Sequence, residues 1–331
     1  MQHQMGLAGR NANWRFVMIT HFLDIESQSK ETIIQLIKKS FEMKQNKYVS
    51  NDLEYKTVGL IFEKPSLRTR VSFEVGIKHL GGYPLILHKE EIGLGKREAI
   101  KDVARVLSRL VDMVMIRTFE HEKLVEFSNH STIPVINGLT DNSHPCQALA
   151  DMLTIYETFG KLKGLKVVYL GDDNNVSSSL AEVCAKTQME CVISSPTILQ
   201  RENPVMRFEK DPQIAIEQAD VIYTDTWVSM GDTSSKEKIQ SLQAYQLNRE
   251  LLSKAKSTAI VMHCLPAHRG QEITDEVIES NRSVVFQQAE NRIHAQKAIM
   301  HYLTTVNQVA HPHVLNNVGK MEMKDVVEKR G

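Results

Sequence analysis

TVGLIFEKPSLRTRVSFEVG, residues 57–76, changes its hydrophobic period partway along. Thr57 to Phe62 form a short, continuous, apolar and β-branched run, the pattern of a strand buried on both faces. Beyond Pro65, Val71 and Val75 recur at helical spacing, and Gly81-Gly82 closes the helix. A buried strand that passes into a helix through a polar bend is half of a βαβ unit. The bend carries Ser66, Leu67, Arg68, Thr69 and Arg70.

The same alternation continues in both directions. Residues 26–45 read as a helix, with Ile33, Ile34, Ile37 and Phe41 at helical spacing. YPLIL (83–87) is a strand, about 98–110 a helix, VDMVMI (111–116) and TIPVIN (132–137) strands, and roughly 145–160 a long helix. A second series starts at Gly164 with strands LKVVYLG, ECVISS, ADVIYT, TAIVMH and SVVFQQ and helical patterns between them. A last helix is expected at about 293–308. Strands alternating with helices predict an α/β fold of two domains, each a parallel sheet flanked by helices. Residues 1–17 read as a leader or extension. Residues 230–243 (MGDTSSKEKIQSLQ) are poor in apolar groups and read as a mobile loop.

Composition limits the function. The chain has 331 residues, 42% hydrophobic and 24% charged, enough for packed cores in two domains. Lysine plus arginine equals aspartate plus glutamate at 40 each, so no bulk charge favours nucleic acid or an anionic membrane. No apolar run approaches the roughly 18 residues of a membrane span. Cys146, Cys184, Cys191 and Cys264 form no C-x-x-C pair, which fits a reducing, cytoplasmic setting. Gly171-Asp172-Asp173-Asn174-Asn175 is not G-x-G-x-x-G, and there is no P-loop, so neither a dinucleotide nor ATP is indicated.

Ligands of open α/β sheets bind beyond the carboxyl ends of the strands. Here those ends are polar. They lead to Ser66–Arg70, Arg117, His144 to Gln147, Asp172 to Asn175, Asp225 to Gly231, His263 to Pro266, and Ala289 to Arg292. Together these predict a cleft between the domains. Ser66 opens a helix, where free N–H groups and the positive dipole end attract an anion, and Arg68 adds a fork suited to phosphate or carboxylate. Arg68 and Arg70 are about 200° apart around a helix. Arg68 is therefore assigned to ligand and Arg70 to a structural ion pair. The stretch also reads as a plain Ser66 cap with both arginines solvated.

Elsewhere the alternatives stay open. His144 and Gln147 share a helix face, and His144 reads as a donor to a carbonyl oxygen or as a satisfied, half-buried side chain. Arg117 reads as a ligand or as a surface ion pair. Cys264 reads as a polarisable group beside an amine, as a nucleophile, or as an inert core residue. Leu265 precedes Pro266, so its peptide can be cis. Asp225 and Asn175 offer acceptors for an α-ammonium group, or are helix caps.

With S-x-R-T-R at 66–70, H-P-C-Q at 144–147, D-x-W-x-S-M-G at 225–231 and H-C-L-P at 263–266, the chain resembles the ornithine carbamoyltransferases, over about residues 20–310. They belong to the aspartate/ornithine carbamoyltransferase superfamily. The resemblance implies transfer of a carbamoyl group from carbamoyl phosphate to the δ-amine of L-ornithine, giving citrulline and phosphate in arginine metabolism. It implies no metal or organic cofactor, and a homotrimer or a multiple of trimers. It also implies a carbamoyl phosphate-binding domain at 18–150 completed by the C-terminal helix (293–331), and an ornithine-binding domain at 151–292. Carbamoyl phosphate would meet Ser66, Leu67, Arg68, Thr69, Arg117, His144, Gln147, Cys264, Leu265 and Arg292. Ornithine would meet Asn175, Asp225, Ser229, Met230, Cys264 and Leu265. Arg117, His144, Asp225 and Cys264 would act in catalysis.

Two positions depart from the family pattern. Leu67 stands where a threonine is usual, and Gly93 where glutamine or histidine is frequent. Two other functional readings remain: a carbamoyltransferase for another amine such as putrescine, and a non-catalytic homologue.

Overall fold

The computed structural model describes residues 19–197, 206–228 and 236–310. The expected leader (1–17), Ser229 and Met230 lie outside the described residues. In chain order the elements are α1 (Lys30–Gln45), β1 (Thr57–Phe62), α2 (Leu67–His79), β2 (Tyr83–His88), α3 (Lys89–Ile92), α4 (Ile100–Leu110), β3 (Met113–Arg117), α5 (His121–Asn129), β4 (Val135–Leu139) and α6 (Pro145–Phe159). There follow β5 (Lys166–Leu170), α7 (Asn175–Thr187), β6 (Glu190–Ser194), β7 (Met206–Phe208), α8 (Pro212–Ile216), β8 (Val221–Thr224), α9 (Lys236–Leu242), α10 (Arg249–Ser253), β9 (Ile260–His263), α11 (Asp275–Ile278) and α12 (Val285–Ala310).

The strands form two sheets, ordered β2-β1-β3-β4 and β7-β6-β5-β8-β9, and every pairing is parallel. The central strands are buried along almost their whole length, as their unbroken apolar runs require. In a parallel sheet all carboxyl ends lie on one edge, which gathers the polar strand-end residues.

Helices α2 and α12 pack closely because Gly76 has no side chain. A Cβ built there would lie 3.3 Å from Met300 Cε and 3.4 Å from Lys297 Cγ. Phe73 and Ile77 are buried on the same face, worth roughly 1.5–3 kcal/mol each in transfer from water. This contact fixes Thr69, at the start of α2, relative to Arg292 in α12. Helix α6 begins with Pro145 at a position that needs no N–H donor and ends at Gly160 in the left-handed conformation.

Three expectations are corrected. SVVFQQ is not a strand: Ser283 makes a single bridge to Val261, and the chain is helical from Val285. The buried positions 285, 288, 291, 292, 295 and 296 follow helical spacing. Because Gln288, Asn291, Arg292 and Gln296 occupy that stripe, hydrophobicity alone conceals its period. The expected 293–308 helix is therefore the later part of α12. Residues 236–242 of the expected mobile loop form α9, whose Leu242 packs with Trp227 and Tyr245. The short edge strand β7 had no counterpart in the sequence reading.

Candidate active site

A cleft of about 710 Å³ lies at the carboxyl edges of both sheets. Among its lining residues are Ser66, Leu67, Arg68, Thr69, Arg117, His144, Gln147, Asn175, Asp225, Cys264, Leu265 and Arg292, so the described candidates converge.

On one side stands a cluster of guanidinium groups. Ser66 caps α2 by accepting from the Thr69 N–H at 3.3 Å. The Thr69 hydroxyl accepts from Arg292 Nη2 at 3.1 Å and lies 3.5 Å from Arg117 Nη1. Arg292 Nη1 also donates to Gln147 Oε1 at 2.7 Å. Arg117 and Arg292 are buried, and the Nε of each lacks a hydrogen-bond partner. Burial, then Arg292 and Arg68, pulls the Arg117 pKa down to about 10. Gathering buried guanidinium groups costs stability, and an anion that takes up their unused donors offsets that cost. Arg70 turns away and pairs with Glu74 one turn on, at 2.7 Å. Leu67, in the first turn of α2, is 72% exposed, so its position offers a backbone N–H and an apolar side chain at the cleft mouth.

His144 precedes α6, and its backbone N–H donates to Ser179 Oγ at 2.9 Å. Its ring is buried, with Nδ1 unpartnered. Burial, then Arg292, Arg117 and Arg68, holds its pKa well below the usual value. The ring is therefore neutral at pH 7 and offers one N–H without carrying a charge.

Asp225 and Cys264 form the opposite side. Thr224 and His263 are partners in the β8–β9 register, so the next residue of each strand emerges beside the other. Cys264 Sγ donates to Asp225 Oδ1 at 2.8 Å, and Asp225 Oδ1 also accepts the Thr226 N–H. Burial, then the Asp225 charge, pushes the Cys264 pKa well above the usual thiol value. Cys264 is thus held as a thiol that donates to Asp225, which disfavours a thiolate nucleophile there. The Leu265-Pro266 peptide is cis, and Leu265 has φ of +57°, a left-handed conformation uncommon away from glycine. Its N–H donates to His263 Nδ1 at 2.8 Å, which places the ring proton on Nε2, 3.1 Å from Glu272 Oε1.

Among the described residues, Asp225, His263 and Cys264 are the trio whose ligand atoms all lie within 4.8 Å of one another. Both His263 nitrogens and the Cys264 proton are already engaged, so the donor set is a hydrogen-bond network rather than an open metal site.

The asparagines divide their work differently from expectation. Asn174 caps α7 through Oδ1 and directs Nδ2 to Asp225 Oδ2 at 3.4 Å. Asn175 Nδ2 instead donates to the Thr140 carbonyl at 2.5 Å. Sequence reasoning also missed Lys64 and Asp141, which form an ion pair in the cleft with the Lys64 ammonium 3.8 Å from the Phe119 ring centre. The available signal was Lys64 next to Pro65 at a strand end. Gly93, which caps the C-terminus of α3, has φ of +54°, and an added Cβ would lie 2.8 Å from Arg97 Cβ. That turn conformation favours glycine there.

Comparison with known proteins gives matches over most of the chain. Residues 20–157 match the family described as aspartate/ornithine carbamoyltransferase, carbamoyl-P binding domain, and residues 163–303 match its Asp/Orn binding domain. The chain is 48% identical over 297 residues to an ornithine carbamoyltransferase from Anoxybacillus flavithermus, covering 84% of this chain and 95% of that one. It is 47% identical over 294 residues to one from Archaeoglobus fulgidus, covering 85% and 96%. Among solved structures, the ornithine carbamoyltransferase from Pyrococcus furiosus superposes with a TM-score of 0.81 at 43% identity, covering 85% and 95%. An N-acetyl-L-ornithine transcarbamylase superposes with 0.77 at 29% identity, covering 86% and 100%.

Proposed function

The chain belongs to the aspartate/ornithine carbamoyltransferase family, and from that premise we propose that it is a transferase carrying the carbamoyl group of carbamoyl phosphate to the δ-amine of L-ornithine, with citrulline and phosphate as products. The observation that carries the reading is the pairing of a guanidinium-lined anion site, built on Thr69, Arg117 and Arg292 beside the start of α2, with the Asp225–Cys264 thiol–carboxylate pair across one cleft.

The phosphate of carbamoyl phosphate sits at the start of α2, held by the helix N–H groups, the Ser66 and Thr69 side chains and Arg68. Leu67 contributes its backbone N–H. Gln147, Arg117 and Arg292 surround the carbamoyl group, and neutral His144 donates to its oxygen. Attack by the amine puts negative charge on that oxygen, where His144 and Arg117 stabilise it. The attacking amine must be neutral. Asp225 accepts a hydrogen bond from the Cys264 thiol, which leaves the sulfur lone pairs and the Leu265 carbonyl to orient the amine N–H groups. The departing phosphate takes up the proton released by the amine, so no metal or organic cofactor enters the scheme. Asn175 and Asp225, with Ser229 and Met230, hold the amino-acid end of ornithine.

The proposal includes a carbamoyl phosphate-binding part at 18–150 closed by 293–331 and an ornithine-binding part at 151–292. It includes a homotrimer or multiple of trimers acting in arginine biosynthesis. The four free cysteines support a cytoplasmic location. Among the described residues no helix is long and apolar enough to cross a membrane.

The test is a colorimetric citrulline assay with carbamoyl phosphate and ornithine, putrescine or N-acetylornithine as acceptor. Ornithine should be used far faster than the other two. A preference for putrescine or N-acetylornithine would reassign the acceptor, and no carbamoylated product from any of them would end the enzyme reading.

A further inference from the structure

Asp151 lies on α6 one turn beyond Gln147, is 1% exposed, and does not line the cleft. Its Oδ1 accepts two N–H donors, Gln147 Nε2 at 2.8 Å and Gln288 Nε2 at 2.8 Å. Each glutamine has its oxygen committed elsewhere. Gln147 Oε1 accepts from Arg292 Nη1 at 2.7 Å, and Gln288 Oε1 accepts the His263 backbone N–H at 2.9 Å. A carboxamide whose oxygen faces a donor must turn its NH₂ the other way, and a buried NH₂ requires an acceptor there. Asp151 supplies that acceptor to both.

The two chains of hydrogen bonds end on opposite sides of the cleft. One runs through Gln147 to Arg292 and on to Thr69. The other runs through Gln288 to the residue that precedes Cys264. Gln288 Nε2 is also 3.0 Å from the Tyr223 hydroxyl on β8, two residues before Asp225. We propose that Asp151 is a positioning residue for carbamoyl transfer: its Oδ1 sets the orientation of Gln147 and Gln288 and so holds the Arg292 side of the cleft and the His263–Leu265 loop in register. This rests on the carbamoyl-transfer reading above. Burial drives the Asp151 pKa up to about 7, opposed by hydrogen bonds from Gln147, Gln288 and Tyr223. A protonated carboxyl still presents a carbonyl oxygen, so the positioning role needs the acceptor and not the charge.

That distinction sets the experiment. Carbamoyl phosphate binding is measured by calorimetry for the full-length wild type, Asp151→Ala and Asp151→Asn, with the kcat and KM of citrulline formation in parallel. Alanine removes the acceptor, so the Gln147 NH₂ loses its partner and the Gln288 NH₂ keeps only the Tyr223 hydroxyl. Carbamoyl phosphate should then bind about tenfold or more weakly, with kcat also reduced. Asparagine keeps the oxygen and should restore binding to within about threefold of wild type. Alanine within threefold of wild type, or asparagine as weak as alanine, overturns the proposal. If circular dichroism shows that the alanine variant is unfolded, Asp151→Leu, which fills the space without an acceptor, replaces it in the same comparison. The two readings fail separately. A wild type that binds carbamoyl phosphate but forms no citrulline sinks the ornithine reading, while the binding comparison still decides the role of Asp151. A wild type that binds no carbamoyl phosphate overturns both.

Discussion

Cys264 Sγ lies 2.8 Å from Asp225 Oδ1 and donates a hydrogen bond to it. Burial and the adjacent carboxylate both oppose a thiolate, so the pKa stands well above the usual thiol value. Alkylation by iodoacetamide at pH 8, followed by mass spectrometry, should be slower at Cys264 than for a free thiol in solution. Asp225→Asn removes the carboxylate charge and should speed it. Rapid alkylation of the unaltered protein at pH 8 would contradict the donor assignment.

The guanidinium groups of Arg117, Arg292 and Arg68 lie close enough to repel one another. The Arg117 pKa, lowered to about 10 by burial and then by Arg292 and Arg68, means that the folded chain holds this proton less tightly than the unfolded one. Its charge therefore costs stability at neutral pH, and the cost is relieved only as pH rises through about 10. An anion should relieve it at pH 8. Inorganic phosphate at about 100 times its Kd is expected to add about 2.7 kcal/mol of stability, visible as a raised Tm against chloride at equal ionic strength. Arg68→Leu should remove most of that difference.

Acid should destabilise the fold through histidines held neutral. Burial lowers His21 to about 4, and burial with three arginines lowers His144 well below its usual value. The unfolded chain takes up these protons near pH 6.5 and the folded chain does not. Stability is therefore unaffected by them above about pH 7.5 and falls as pH drops from about 6.5 toward 4, by at most about 1.4 kcal/mol per pH unit for each histidine. Urea unfolding at pH 7.5 and pH 5 measures this in Asp151→Asn, which removes the opposing proton uptake of a carboxyl raised to about 7. His144→Asn should reduce the difference between the two.

Leu67, Arg68 and Arg70 separate by orientation. Arg70 pairs with Glu74 on an exposed face, so Arg70→Ala should cost under about 0.5 kcal/mol and leave the KM for carbamoyl phosphate unchanged. Arg68→Ala should raise that KM severely. Leu67→Thr replaces an exposed side chain at the cleft mouth and should leave the KM equal or lower. Loss of activity in Leu67→Thr would show that the leucine side chain itself is required.

The sequence by itself determined the two runs of strands and helices. A strand buried on both faces needs consecutive apolar residues, and such runs as TVGLIF and KVVYL have no competing reading of similar length. It also determined that the polar residues stand at strand ends, and that Arg68 and Arg70 cannot face one small ligand, since both follow from local geometry. The start of α12 escaped because its buried stripe contains Gln288, Asn291, Arg292 and Gln296, and hydrophobic periodicity finds only apolar stripes. Which polar groups meet was decided by tertiary structure. Asp225 and Cys264, 39 positions apart, touch because the β8–β9 register aligns Thr224 with His263. Arg292 reaches Thr69 and Gln147 because Gly76 lets α12 lie close to α2. The sequence pattern records each residue's own environment, whereas pairing depends on strand register and helix packing, which are set by contacts between distant segments.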